Sequence, residues 1–237
     1  MEAPLIDVRP FGSLGRFRND WLNARHHFSF GHYHDPARMG VGRLRVWNDD
    51  EIAPGTGFDP HPHRDMEIIT YVREGAITHR DSLGNEGRTE AGDIQVMHAG
   101  SGIIHGEYNR EDVPTRIFQI WVMPDRTGVQ PGWGARSFPK GGEGLRLLAA
   151  GPTPPDGVLP LHADAALHAG TLRAGESVTH RMAPGRAAYL VPATGAVSGN
   201  GERVGTRDGA AITGEQTVTI TAEQDAELVL VEVADRA

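Results

Sequence analysis

Nine of the 12 histidines precede residue 110, and their spacing suggests a metal centre. Two stretches carry the pattern. The first is Gly55-Thr-Gly-Phe-Asp-Pro-His61-Pro-His63-Arg-Asp-Met-Glu67, and the second is His98-Ala-Gly-Ser-Gly-Ile-Ile-His105-Gly-Glu107-Tyr-Asn109. Along an extended strand, residues i and i+2 point to one face about 6–7 Å apart. His61 and His63 can therefore reach one point from one strand, and His105 and Glu107 can reach it from another. Three neutral nitrogens and one carboxylate make a ligand set for a divalent transition metal, with one or two positions left open for catalysis. Without thiolates the set admits iron, manganese, cobalt, nickel, copper or zinc. Histidine ligates only when deprotonated, so such a site should begin losing metal below about pH 6.5.

The remaining polar groups of this region read differently. Glu67 lies at i+4 from His63 and suits a structural salt bridge better than a ligand position. His79 sits in an alternating run and is expected to face solvent. His98, just ahead of the glycine step, is a candidate pocket residue. The cluster His26-His27-Phe28-Ser-Phe30-Gly31-His32-Tyr33-His34-Asp35 interleaves aromatics and ends in an Asp-Pro turn, which fits a packed N-terminal segment rather than a second metal site.

Strands must position these groups. Short β-branched or aromatic runs recur, as at Leu44 to Trp47, Glu67 to Val72, Ala76 to His79, Ile94 to Met97 and Thr115 to Val122. Others follow at Ala187 to Val191, Thr217 to Thr221 and Glu227 to Val233. The 31 glycines and 16 prolines punctuate them, with hairpin turns at Ser82 to Gly87 and Ser198 to Glu202. Pro62 cannot donate to a ladder and suits an edge strand. Short helical turns are expected only near Asp20 to Arg25 and at Asp112-Val-Pro. The chain is therefore expected to be all-β.

At 237 residues it has room for two compact units. A Pro/Gly-rich stretch divides them, giving 1–138, a linker at 139–160, and 161–237. The halves look duplicated: Tyr71 to Gly75-Ala-Ile resembles Tyr189 to Gly195-Ala-Val. Aligned on Tyr189, Thr179 and Arg181 take the places of His61 and His63, and His180 points away. The absence of cysteine excludes disulfides, zinc ribbons and thiol nucleophiles. A formal charge of −8 argues against a nucleic-acid footprint. No apolar run approaches the roughly 20 residues of a membrane span, and no secretion signal opens the chain, so a cytoplasmic location is expected.

The first stretch resembles the first cupin motif, Gly-x5-His-x-His-x3-Glu, with Gly75 one position late. The second resembles the second cupin motif through Gly102-x2-His105-x3-Asn109. His27-Phe-Ser-Phe-Gly-His-Tyr-His-Asp-Pro36, Glu107 and Ile120-Trp-Val-Met-Pro124 narrow the likeness to pirins, and especially to bacterial pirin-type quercetin 2,3-dioxygenases. His98 departs from that pattern, where a small hydroxyl residue is more usual. The resemblance implies a bicupin, with two stacked antiparallel β-barrels and metal in the first alone. It puts the ligands on His61, His63, His105 and Glu107, with iron as first choice. It further implies O2-dependent opening of a flavonol heterocycle with loss of carbon monoxide, Glu107 serving as general base. The alternative it allows is a redox-responsive iron protein acting through protein partners.

Overall fold

The computed structural model describes residues 6–138, 144–151 and 153–235. Among these residues the chain forms strands and a single 3-10 turn, Phe11–Ser13. No described helix is long and apolar enough to cross a membrane.

The strands make four sheets in two matching units. In the first unit a seven-stranded sheet runs in the order Gly132–Arg136, Ile94–His98, Glu67–Glu74, Thr115–Val122, Leu44–Ile52, Leu22–His26, Gly15–Arg18. Opposite it lies a four-stranded sheet, Gly57–His63, Ile103–Tyr108, Ala76–Asp81, Glu86–Glu90. The second unit repeats this. Its seven-stranded sheet runs Ile6–Arg9, Gly209–Ile212, Arg186–Thr194, Ala226–Ala234, Ala165–Leu172, Gly144–Ala150, Leu159–Pro160. Its four-stranded sheet runs Ser177–Arg181, Thr217–Ala222, Val197–Gly199, Glu202–Val204. Tyr71 and Tyr189 fall on corresponding strands, so the faint sequence repeat reflects a repeated topology. Among the described residues the ladders stay as four separate sheets and do not run on around closed barrels.

The two seven-stranded sheets pack back to back. Ile69, Tyr71, Phe118 and Ile120 from one meet Tyr189, Val191, Val229 and Val231 from the other in the largest core. The alternate residues turn inward: Val72 and Ile117 pack with Ile77 in the first unit, and Ala188 and Leu190 with Val218 and Ile220 in the second. Burial on both faces explains why Glu67 to Val72 reads as a continuous run instead of an alternating one. At Asn200-Gly201 both φ angles are positive, the geometry a two-residue hairpin with the strands' own twist requires.

Several expectations change. Asp20 to Arg25 holds no helical turn; strand Leu22–His26 buries Leu22, Ala24 and His26 in alternation. The stretch 139–160 carries strand Gly144–Ala150, whose Leu148 and Ala149 enter the shared core, while 139–143 and 152 lie outside the described residues. Ile6–Arg9 pairs with Gly209–Ile212 and completes the second unit's sheet, so this N-terminal strand belongs with the distant half. The alignment on Tyr189 is one residue out of register. In Ser177–Arg181, Thr179 and Arg181 are exposed, and His180 turns inward to Glu232 at 2.8 Å. His180 stands opposite Val218 as His61 stands opposite His105.

Candidate metal centre

Strands Gly57–His63, Ile103–Tyr108 and Ala76–Asp81 lie side by side, with His61 opposite His105 and His105 opposite Asp81. Gly57–His63 is an edge strand, which accommodates Pro62. Between its Phe58–Glu107 and His61–His105 pairs, Asp59 and Pro60 together oppose Gly106, a bulge. The extra residue turns both Phe58 and His61 toward the interior, three positions apart. The loop ahead of His105 needs Gly100: at φ +45, a Cβ there would stand 2.1 Å from the Val129 carbonyl oxygen. Backbone bonds join the two stretches, from Asp65 N–H to Gly100 O and from Ala99 N–H to Met66 O, each 2.9 Å.

The three imidazoles converge. One nitrogen from each of His61, His63 and His105 lies within 4.8 Å of the others, and among the described residues no other group of three or more metal-type side chains comes so close. His61 Nδ1 donates to the Asp59 carbonyl at 2.7 Å, which leaves Nε2 as the free lone pair. His105 Nε2 is buried without a hydrogen-bond partner among the described residues. Burial lowers both His63 and His105 to about 4; His61 adds to the effect and Glu107 opposes it. Both rings are thus neutral at neutral pH, as ligation demands, and they protonate near pH 4 instead of 6.5. An orphaned nitrogen facing two further imidazoles fits a borderline divalent metal.

Glu107 lies on the same strand as His105 but is held from another side. Its Oε1 accepts from Thr70 Oγ1 at 3.0 Å and from Gln95 Nε2, and its Oε2 accepts from Gln119 Nε2 at 2.7 Å. The carboxylate is buried, lines the same cavity as the imidazoles, and falls outside their 4.8 Å group.

That cavity holds about 570 Å³. Trp21, Phe30, Tyr33, Phe58 and Trp121 supply aromatic walls, and Asn48, Asp50 and Gln119 supply polar groups. Asp50 is buried, and its Oδ1 has no hydrogen-bond partner among the described residues; burial, then Asp49 and Glu107, push its carboxyl well above the usual range. The segment around Phe28 is packed as expected, yet its Phe30–Tyr33 bridge also forms part of the cavity wall. Gly15 admits this turn, since the Tyr33 ring stands where a Cβ would be.

His79 does not face solvent. It is fully buried, lies 3.5 Å from His105 through facing Nδ1 atoms, and stacks on Trp133. His98 lies outside the cavity lining and pairs with Glu67 at 2.6 Å, next to His162. Glu67 is thus held by His98 and by the His162 N–H at 2.9 Å, and the first contact is the salt bridge anticipated for it only when His98 is protonated. The buried roles of His79 and Asp50 depend in part on groups from other strands, His105 and Trp133 for the first and Glu107 for the second, which spacing along the chain does not show.

Two family models match the chain: Pirin over residues 8–122, and the quercetinase C-terminal cupin domain over 148–233. A Pseudomonas aeruginosa protein provisionally named quercetin 2,3-dioxygenase is 60% identical over 232 residues, spanning 97% of this chain and 100% of that protein. A quercetin 2,3-dioxygenase of Escherichia coli is 40% identical over 227 residues, or 95% of this chain and 97% of its own length. The crystal structure of the Escherichia coli bacterial pirin YhhW in complex with nickel(II) has a TM-score of 0.92 at 40% identity, covering 97% of this chain and 99% of that one. The sequence matches extend over nearly the whole length, the solved structure has the same fold, and the chain belongs to the pirin family.

Proposed function

We propose that this chain is a metal-dependent dioxygenase that opens the heterocycle of flavonols such as quercetin with O2 and releases carbon monoxide, working in the cytoplasm. The observation that carries the reading is the meeting of three imidazoles at one side of an aromatic-walled cavity. The name borne by the Escherichia coli relative supports the substrate class. His61, His63, His105 and Glu107 are the proposed ligands, and iron is the first choice among the divalent metals.

A divalent metal bound there would supply Lewis acidity to the flavonol 3-oxygen, lowering its pKa. The protein's own side chains do the rest. Trp21, Phe30, Phe58 and Trp121 present flat apolar surface to a flat polycyclic ring system. Glu107 takes the 3-hydroxyl proton as general base; Thr70, Gln95 and Gln119 hold its carboxylate in place for that transfer. Gln119 and Asn48 offer hydrogen bonds to the remaining hydroxyl and carbonyl groups. The walls keep water from the electron-rich anion while it reacts with O2.

The test is quercetin turnover by metal-reconstituted protein, with and without air. Oxygen uptake matched by carbon monoxide release is the expected result. No uptake with any of several metals would overturn the enzyme reading in favour of a metal-binding regulator that works through protein partners.

A further inference from the structure

Behind His105, away from the cavity, a buried chain of side chains ends at a turn. Asp81 Oδ1 accepts from Leu83 N–H at 2.9 Å and Asn85 N–H at 3.0 Å. Its Oδ2 accepts from Asn85 Nδ2 at 2.9 Å and stands 3.1 Å from His79 Nε2. Burial alone would raise this carboxyl, but the donors of Asn85, His79 and Leu83 hold it below its ordinary value. An acceptor-only partner requires His79 Nε2 to carry a hydrogen. In the neutral ring Nδ1 is then a lone pair. It faces His105 Nδ1 at 3.5 Å, and two facing nitrogens cannot both be acceptors. His105 Nδ1 therefore carries the hydrogen, and its Nε2 is bare. That is the buried nitrogen with no hydrogen-bond partner among the described residues, on a ring that belongs to the three-imidazole group.

The His79 ring is also fixed in plane. Trp133 of strand Gly132–Arg136 stacks on it at 4.8 Å and 7°. Trp133 can lie there because residue 87 is glycine, where a Cβ would stand 2.2 Å from the indole.

We propose that Asp81 and His79 form a tautomer lock: they select the His105 tautomer whose Nε2 lone pair points at the metal position, and so set metal affinity without touching the metal. His79 and Asp81 are positioning residues in this scheme. It rests on the proposed metal centre, and it involves no change in the net protonation of either ring.

The experiment compares wild type, His79→Phe, His79→Asn and Asp81→Asn. Nickel(II) affinity is measured by competition with a chromophoric chelator, Tm is followed on metal-free protein, and 15N NMR reads which imidazole nitrogens carry hydrogen. His79→Phe keeps the ring against Trp133 but removes the acceptor, and should weaken nickel(II) binding by about 10–100-fold. Asp81→Asn can offer an amide N–H to His79 Nε2, reversing both tautomers. It should weaken binding comparably and move the His105 hydrogen to Nε2. His79→Asn places a carbonyl oxygen near the former Nδ1 and should restore much of the affinity, although it loses the stack. Binding by His79→Phe and Asp81→Asn equal to wild type would overturn the lock. So would weak binding with an unchanged His105 tautomer, or a failure of His79→Asn to recover, since either would reduce the role to packing. If wild type itself binds no nickel(II), the metal centre falls and the lock falls with it.

Discussion

Glu107→Gln separates chemistry from support more cleanly than any other single change. The substitution replaces one carboxylate oxygen by an amide NH2 among donors. At Oε1 that NH2 would meet both the Thr70 hydroxyl and the Gln95 amide. At Oε2 it meets only Gln119 Nε2, 2.7 Å away. Gln119 can answer by turning its amide, disturbing only a 3.5 Å contact with Thr70. The second placement is cheaper, and its cost is about 1 kcal/mol, the net worth of one hydrogen bond. For a chain of this length that is a fall of roughly 2–4 °C in Tm. Loss of a positioned general base costs far more in rate, about 10²–10⁴-fold. The assay is quercetin-dependent oxygen uptake on protein of measured metal content, with thermal melts alongside. Turnover within a few-fold of wild type at equal metal content would refute the base role. A Tm drop beyond about 10 °C would show that the Gln119 adjustment had been misjudged.

Three more predictions follow from the same geometry. His63 and His105 titrate near 4 in the fold and near 6.5 when unfolded, so metal-free protein should lose stability as pH falls from 6.5 and level off below 4; a melting series flat across that window would contradict the shifts. Asp50 is the reverse case, a carboxyl raised by burial, whose unfolded form ionises above about 3.9. Asp50→Asn should therefore stabilise the protein more at pH 8 than at pH 4, by roughly 1–3 kcal/mol, and equal effects at both pH values would count against an unpartnered acid. Phe118 is fully buried between the two seven-stranded sheets, and Phe118→Ala should cost about 3–5 kcal/mol by denaturant unfolding; a loss below 1 kcal/mol would mean the sheets do not share one core.

What could be read from the sequence is what a strand displays along itself. His61 with His63, and His105 with Glu107, are two-residue pairs, so their shared faces follow from the period of the chain. Asn200-Gly201 announces its hairpin in two letters. What escaped depends on distant partners. His79 reads as a surface residue until Trp133 and His105 close over it from two other strands; only Asp81 stands on its own strand, two residues on. Strand Ile6–Arg9 finds its place only against Gly209–Ile212, some 200 residues away. Leu148 and Ala149 were hidden by flanking glycine and proline, although they enter the central core. In the second unit an alignment on one tyrosine slipped by a residue. In a strand that exchanges inside for outside, and so it reversed His180.

The account depends most on three imidazoles holding one metal. Calorimetric titration of metal-free protein with nickel(II) tests this directly. The prediction is a saturable isotherm with one equivalent per chain, abolished in a variant carrying His61→Ala and His63→Ala with Tm otherwise preserved. Saturable binding that survives loss of both histidines, or none in the wild type, would contradict it.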